Sequence, residues 1–252
     1  IIINTNYIFG NKYVAKNRTG ASYYISPKEL KKYNYTDINR VLRSVPGVTF
    51  YEEDGFGLRP NISLRGTSPQ RSAKISIMED GVLIAPAPYS SPSAYYFPSV
   101  ARMEAVEVLK GSSQVQYGPF TTGGAINMVS TQIPDEFGGR ILANYGAFNT
   151  RRLYAKAGGK NGQFGYVAEF LNYGSEGFKN LPNGEDTGFD INEVLAKVSY
   201  ISKTEAKYQQ SFEAKFQYSD EVSNETYLGL TENDFENTPY ERYASSQDDQ
   251  MV

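Results

Sequence analysis

The chain has 252 residues, with 25 Lys and Arg against 28 Asp and Glu, and 14% of its residues are aromatic. It contains no Cys, His or Trp, which excludes a disulfide framework, a thiolate metal site and imidazole chemistry. The net charge of −3, with both signs interspersed, is unlike the basic stripe of a nucleic-acid-binding surface, so no nucleic-acid partner is expected.

The first 47 residues combine an apolar start with two predicted helices. Residues 1–20 begin with β-prone apolar residues and continue as polar, glycine-containing sequence, which by itself is typical of an ordinary edge strand or a frayed terminus. Ser26-Pro27-Lys28-Glu29 has an N-cap and a proline at the first helical position, so a helix is predicted to begin there. A second helix is predicted from Thr36 to Pro46-Gly47.

Short strands and turns follow as far as residue 129. Ile62–Leu64 and Lys74–Ile84 alternate as strands, and Asp80-Gly81 predicts a hairpin turn within the second. Val100–Lys110 is predicted to form a helical turn that continues into a strand. Gly123–Val129 predicts a further strand, whose paired glycines allow close backbone approach. These elements indicate a small α+β unit.

A stiff aromatic loop interrupts this unit at Ile84–Pro98. It holds four prolines together with Tyr89, Tyr95, Tyr96 and Phe97. Because proline removes conformational freedom in advance, ordering such a loop on a ligand costs less free energy. Two interpretations stay open, a ligand-contacting loop and a rigid surface loop that packs its own tyrosines on the sheet.

From Gly138 onward the pattern is that of β-strands alone. Five alternating strands are predicted, at Arg140–Tyr145, Arg151–Ala157, Phe164–Tyr173, Ile191–Tyr200 and Tyr208–Tyr218, and a sixth begins at Met251-Val252. In the third strand, Tyr166, Ala168 and Phe170 are expected to face lipid and Glu169 the lumen, as in outer-membrane barrels. Short links alternate with long ones, which matches periplasmic turns and extracellular loops.

Five short motifs occur in order between Arg65 and Asn127. They are RG at Arg65-Gly66, MEDGV at Met78–Val82, MEAVEVLKG at Met103–Gly111, YG at Tyr117-Gly118 and GGAIN at Gly123–Asn127. Together they resemble the plug domain of TonB-dependent outer-membrane receptors. The resemblance implies energy-coupled import through a plugged barrel, with no covalent chemistry.

The resemblance also implies roles for individual residues. Arg65 and Lys110 occupy the positions of two basic residues that pair with barrel carboxylates and lock the plug in place. Direct contact with the ligand is the alternative role for both Arg65 and Lys110. The family's TonB box, an extended peptide that pairs with the periplasmic partner, is expected at Ile1, Ile2, Ile3, Tyr7 and Ile8.

Within the family, the plug is most similar to ferric citrate-type receptors, through SPQR at Ser68–Arg71 and IPDEFG at Ile133–Gly138. Ferric citrate is an anionic chelate, so cations and hydroxyl donors are expected to bind it. The predicted ligand-binding residues are Arg59, Arg65, Arg71, Tyr89, Ser91, Tyr95 and Tyr96. Ser90-Ser91 stand where the ferric citrate receptor has a glutamine, so the identity of the chelate stays open.

The predicted fold is therefore an α+β plug domain followed by the first antiparallel strands of a transmembrane β-barrel of about 22 strands, incomplete in this sequence. The predicted divisions are an extended N-terminal segment at 1–20, the plug at 21–137 and the start of the barrel at 138–252. The start, IIINTNYIF, lacks the features of a signal peptide, so we interpret the sequence as a mature or truncated form. No apolar run is long enough for a transmembrane helix.

The expected function is import of a ferric citrate-like chelate across the outer membrane of a Gram-negative bacterium. The expected partners are the TonB energy-transducing complex, the ferric chelate and outer-membrane lipid. Neither a cofactor nor a resident metal is expected, because the iron is carried within the ligand. The alternatives are import of a non-iron nutrient such as a glycan or cobalamin, and a binding or signalling receptor. A soluble carbohydrate-binding β domain is a third.

No enzymatic activity is expected. Asp80, Glu104 and Glu107 are carboxylates that could suggest acid–base catalysis, but no nucleophile accompanies them. Their motif context predicts turn and strand positions instead. Acidic residues at Glu52-Glu53, Asp54 and Asp248-Asp249 could bind a hard cation, although such runs in loops are usually solvated.

Overall fold

The structure is a computed structural model that describes residues 6–85, 96–118, 122–181, 184, 186–224, 231–240 and 247–251. The chain divides into two compact units, Ile1–Thr131 (unit 1) and Gln132–Val252 (unit 2). The domain limits at residues 20 and 137 that the sequence suggests stay predictions.

Unit 1 is an α+β domain. Its helices are α1 (Lys12–Asn17), α2 (Pro27–Tyr33) and α3 (Ile38–Leu42). Its strands are β1 (Ala21–Ile25), β2 (Val48–Tyr51), β3 (Asn61–Leu64), β4 (Ile75–Glu79), β5 (Val82–Ala85), β6 (Met103–Lys110) and β7 (Gly124–Ser130). A five-stranded sheet has the order β1-β6-β7-β4-β5, and β2 pairs with β3. Only the β4–β7 pairing is parallel among these described strands.

The two predicted helices are confirmed, and so is the mechanism that starts the first. The Ser26 hydroxyl accepts a hydrogen bond from the Glu29 amide, and the Glu29 carboxylate accepts one from the Ser26 amide at 2.8 Å. This reciprocal capping satisfies two amide groups that a helix start leaves without partners. The second helix begins at Ile38 rather than Thr36, because Asp37 is the N-cap and accepts from the Asn39 amide. It ends at Leu42, before the predicted stop at Pro46-Gly47.

The core of unit 1 lies between the central strands and α3. Leu42, Ile77, Val106 and Ile126 are fully buried there, and each contributes about 1.5–3 kcal/mol of hydrophobic stabilisation. The predicted close approach at the paired glycines is confirmed, since a Cβ on Gly124 would lie against the Leu109 carbonyl.

Unit 2 is one antiparallel sheet in chain order, with a short helix α4 (Glu232–Asn237). Its strands are β8 (Gly138–Tyr145), β9 (Arg151–Asn161), β10 (Phe164–Ser175), β11 (Phe189–Ile201), β12 (Ser211–Asn224) and β13 (Gln247–Met251). The five predicted strands are confirmed, although most are longer than predicted and β12 begins at Ser211 rather than Tyr208. Within the described ranges, β8 and β13 are the two edges of this sheet.

The predicted two-sidedness of β10 is confirmed. Tyr166 and Phe170 are exposed, whereas Val167 and Glu169 between them are buried. This alternation follows from the period of two along a strand and gives the strand one apolar exposed face. None of the helices in the described residues is both long enough and apolar enough to cross a bilayer.

Candidate functional site

The two predicted lock residues lie side by side in unit 1. Arg65 follows β3 with a left-handed φ of 56° and is exposed, while Lys110 ends β6 and is 8% exposed. The Lys110 ammonium donates to the Pro46 carbonyl at 2.6 Å. The Arg65 guanidinium lies against Gly111, whose missing side chain leaves room for it.

The proximity of these two cations shapes the local electrostatics. Burial lowers the pKa of Lys110, and the neighbouring Arg65 charge lowers it further. An anion beside the pair would offset both effects. The arrangement therefore suits an anionic partner, which is what the predicted lock requires.

A second basic region surrounds the loop that precedes β3. The Asp54 carboxylate accepts from the amides of Phe56 and Gly57 at 2.5 Å each and from the Arg59 amide at 2.9 Å, which organises the loop. The Arg59 side chain is only 2% exposed, and its guanidinium donates to the Leu58 carbonyl. That Arg59 contacts the ligand stays a prediction. Its side chain is buried within unit 1.

Arg71 is more accessible than Arg59. It lies in a 3₁₀ turn with a φ of 50°, and its amide donates to Asn61 Oδ1 at 2.7 Å. Its guanidinium is 3.9 Å from the Glu53 carboxylate, and about a quarter of the side chain is exposed. Of the two arginines in this region, Arg71 is the more exposed.

The aromatic loop is described only at its C-terminal end. Tyr89, Ser91 and Tyr95 lie outside the described residues. The Tyr96 hydroxyl accepts from Arg102 Nη2 at 3.0 Å, and the same guanidinium binds Glu79 in bidentate fashion at 2.7 and 2.9 Å. Arg102 and Glu79 are nearly fully buried, so this ion pair fixes the end of the loop to the sheet.

The segment Asn6–Gly10, called the N-terminal segment below, is held on the sheet of unit 1. The Glu107 carboxylate accepts from the amides of Ile8, Phe9 and Gly10 at 2.6–2.8 Å. Tyr7 and Ile8, two of the predicted TonB-contacting residues, are half-buried in this segment. Burial, reinforced by nearby carboxylates, raises the pKa of the Tyr7 phenol. Ile1, Ile2 and Ile3 lie outside the described residues.

Sequence reasoning missed the role of Glu107, which it treated as an ordinary strand residue. The alternation within β6 gives no signal for it, because the donors lie 97–99 residues earlier in the chain.

An open cavity of about 770 Å³ lies between β1, α2 and α3. Tyr23, Tyr33, Arg40 and Arg43 are among its lining residues. Of the predicted ligand residues that the structure describes, Arg59, Arg65, Arg71 and Tyr96, none lines this cavity. The described residues hold no group of three or more acidic side chains that could bind a metal ion.

Comparison with known proteins places unit 1 in a family. Residues 15–125 match the model of the TonB-dependent receptor plug domain. The vitamin B12 transporter BtuB of Photobacterium profundum is 28% identical over 178 residues, covering 69% of this chain and 28% of that protein.

The similarity to solved structures covers residues of both units. The ferric citrate transporter FecA in its unliganded form has a TM-score of 0.74 at 24% identity, covering 93% of this chain and 36% of that one. The ferric yersiniabactin receptor FyuA of Yersinia pestis has a TM-score of 0.67 at 22% identity, covering 84% and 33%. At these identities the likeness concerns the fold alone.

The chain thus spans about a third of the length of these relatives. The relatives are named as transporters and receptors, and none as an enzyme. Residues 15–125 thus match the plug domain of TonB-dependent receptors, and the fold of the chain is similar to that of part of a ferric citrate transporter and a ferric yersiniabactin receptor.

Proposed function

We propose that this chain is part of an outer-membrane transporter that imports a ferric chelate. In this proposal unit 1 is the plug and unit 2 begins a barrel of about 22 strands whose lumen the plug blocks. The TonB complex engages the start of the chain, and its pull rearranges the plug once ligand has bound. The work of transport then comes from the partner complex.

The observation that carries the proposal is a plug-family domain followed directly by strands with an apolar exposed face. The exposed side chains on β10 and β12 include Phe164, Tyr166, Phe170, Phe212 and Phe216. A hydrocarbon environment stabilises such a face, and the alternating buried positions carry polar groups such as Glu169. We therefore place unit 2 in the outer membrane, in contact with lipid.

An anionic ligand fits the basic residues of unit 1. Arg71 is partly exposed, and Arg65 with Lys110 forms a pair of adjacent cations. Among the relatives, FecA and FyuA are named for ferric chelates, which supports iron as the cargo. The pair Arg65 and Lys110 is assigned first to the lock, with carboxylates of the barrel as its partners.

Cobalamin is the second candidate, and one observation favours it. The relative BtuB is named as a vitamin B12 transporter and matches 69% of this chain. Cobalamin import would use the same plug and the same energy source, so the choice between the two rests on the ligand alone.

The test is uptake by cells that express the full-length protein and lack their own ferric citrate and cobalamin receptors. We expect accumulation of radioactive iron supplied as ferric citrate, abolished by a protonophore or by removal of TonB. Accumulation of labelled cyanocobalamin instead would replace iron with the second candidate. Uptake of neither compound, from cells with the protein folded in the outer membrane, would refute ferric citrate and cobalamin as the cargo.

A further inference from the structure

One buried carboxylate binds the backbone of the N-terminal segment. Glu107 lies in the middle of β6 and has no exposed surface. Its Oε1 accepts from the Phe9 and Gly10 amides at 2.8 Å each, and its Oε2 accepts from the Ile8 amide at 2.6 Å. Three consecutive backbone amides of the N-terminal segment therefore surround one anion, and that anion is the Glu107 side chain of the sheet.

Asn127, on the adjacent strand β7, extends this contact. Its Nδ2 donates to Glu107 Oε2 at 2.8 Å and to the Asn6 carbonyl at 2.9 Å. Its Oδ1 accepts from the Gly81 amide at 2.9 Å, in the turn between β4 and β5. The N-terminal segment is thus tied through two side chains to β6, β7 and the β4–β5 hairpin.

Arg18 contacts the same segment. Its guanidinium donates to the Ile8 carbonyl at 3.4 Å and lies 5.6 Å from the centre of the Phe9 ring. Phe9 itself is 6% exposed and packs in a small apolar cluster with Leu109 and Val129. The segment therefore combines apolar burial with directed hydrogen bonds, unlike a frayed terminus.

The chemistry makes the attachment reciprocal. If the segment leaves the sheet, Glu107 loses three of the four hydrogen bonds that it accepts from described residues. Hydrogen bonds to a charged acceptor are stronger than neutral ones, so their loss favours the attached state of the segment. Among the described residues, Asn127 alone then remains to satisfy it.

We propose that Glu107 is the anchor of the N-terminal segment, and that release from Glu107 sets how much of the chain's start the periplasmic partner can reach. The second part rests on the proposed function above. A pull on the residues before Asn6 acts first on the contacts with Glu107 and Asn127, which lie on the interior strands β6 and β7. Glu107 is thus a positioning residue for the partner-binding peptide.

Hydrogen–deuterium exchange on the full chain tests the anchor without ligand or partner. In Glu107→Gln, one acceptor oxygen becomes an NH₂ group that faces the segment's own donors. In Glu107→Asp, the charge stays but the carboxylate is withdrawn by one methylene. We expect the amides of residues 8–10 to exchange about tenfold faster or more in both variants. The control is Glu52→Gln, which removes only the exposed pair with Arg43.

The amides of β6 and β7 report whether each variant keeps its fold. Unchanged exchange at residues 8–10, in either variant with native protection of β6 and β7, would overturn the anchor. The unaltered chain supplies an independent check. If the amides of residues 8–10 exchange in it as fast as those of an unfolded peptide, the proposed anchor is also overturned. If Glu107→Gln lowers the protection of the whole sheet, the exchange of residues 8–10 in Glu107→Asp tests the anchor instead.

Binding of the purified periplasmic domain of TonB to the full chain tests the second part. We expect several-fold tighter binding to Glu107→Gln and Glu107→Asp than to the unaltered chain and Glu52→Gln. Equal binding to all four, with faster exchange in the Glu107 variants, would show that the anchor does not control access. Binding to none of them would refute the proposed function, whereas the anchor would still stand on its exchange result.

Discussion

At the scale of single residues, Gly111 keeps the basic pair in place. Its backbone has a φ of 88° and a ψ of −163°, a conformation that is essentially restricted to glycine, and a Cβ there would lie against the Arg65 guanidinium. We expect Gly111→Ala to destabilise unit 1 by about 1–3 kcal/mol and to displace Arg65.

Gly47→Ala is the matched control for this prediction. Gly47 also has a positive φ, of 75°, but nothing lies within 4 Å of a Cβ built on it. Only backbone strain is expected there, with a smaller loss of stability. Thermal unfolding of the two variants in detergent measures the difference, and an equal loss in both would show that the contact with Arg65 carries no weight.

The buried ion pair of Glu79 and Arg102 gives a second prediction at this scale. Glu79→Gln leaves the guanidinium of Arg102 buried beside a neutral partner, so we expect a loss of about 3–5 kcal/mol. Glu52→Gln breaks an exposed pair and should cost about 0–1 kcal/mol. Denaturant unfolding of both variants measures the two losses of stability. Similar unfolding midpoints for Glu79→Gln and Glu52→Gln would contradict the prediction.

How far single residues could be predicted depends on how local their partners are. Arg65 and Lys110 were assigned to one site by motif, and the structure brings them together. Glu107 could not be assigned, because its role depends on backbone amides almost 100 residues away. No side-chain pattern encodes a contact made by three backbone donors.

At the scale of elements, the start of α2 gives a pH-dependent prediction. Hydrogen bonds from Ser26, joined by the Lys12 ammonium, lower the pKa of Glu29 from 4.5 to about 2. A carboxylate with a depressed pKa stabilises the fold above its ordinary pKa, and the contribution is lost as the pH falls from about 4.5 towards 2. We therefore expect α2 to loosen over this range.

Ser26→Ala tests the cause of that shift. It removes the side-chain hydrogen bond to Glu29 and the N-cap of α2, so the pKa of Glu29 should rise and the helix should lose about 0.5–2 kcal/mol. Ser44→Ala, beyond the end of α3, is the control. Carboxyl chemical shifts followed through a pH titration measure the pKa, and an unchanged Glu29 titration would refute the assignment.

The exposed face of β10 gives a prediction for unit 2. Phe170 is 38% exposed on the strand, and Phe178 is 43% exposed in the loop after it. If this face contacts hydrocarbon, Phe170→Arg should cost up to about 2–4 kcal/mol, and Phe178→Arg much less. The yield of folded protein in the outer membrane compares the two, and equal yields would argue against lipid contact at Phe170.

Element prediction succeeded where the turn or cap chemistry is local. Asp80-Gly81 and Ser26-Pro27 each specify their structure within four residues, and both are confirmed. β1 and α1 were missed, since Ala21–Ile25 lacks clear alternation and pairs with β6 more than 80 residues later. α1 is a helix of only 6 residues, too short to show a periodic apolar face.

At the scale of the whole molecule, the sheet order of unit 1 could not be predicted. β1 lies at one edge and β5 at the other, with β6 and β7 placed between strands that precede them in the sequence. Pairings between strands that are distant in the chain produce no periodic pattern of residues in the sequence. The order has a mechanical consequence, because the strand nearest the start of the chain is an edge strand with one neighbour among the described strands, β6.

Once the N-terminal segment has left Glu107, a pull on the start of the chain passes through α1 to β1, so it should peel β1 from β6 before it disturbs the pairing of β6 with β7. Ser22 and Leu109 are partners across β1 and β6, and Ala105 and Val129 are partners across β6 and β7. The sequence contains no cysteine, so a pair of introduced cysteines forms the only disulfide in this chain.

We expect the oxidised double variant Ser22→Cys/Leu109→Cys to bind ligand normally but to lose energised uptake, which a reductant restores. The oxidised control Ala105→Cys/Val129→Cys should retain uptake, because its cross-link lies beyond the strand that is peeled. Loss of uptake in both would mean that the pull opens the centre of the sheet. Retention in both would mean that the ligand passes without removal of β1, since the cross-linked edge strand then stays on β6 throughout transport.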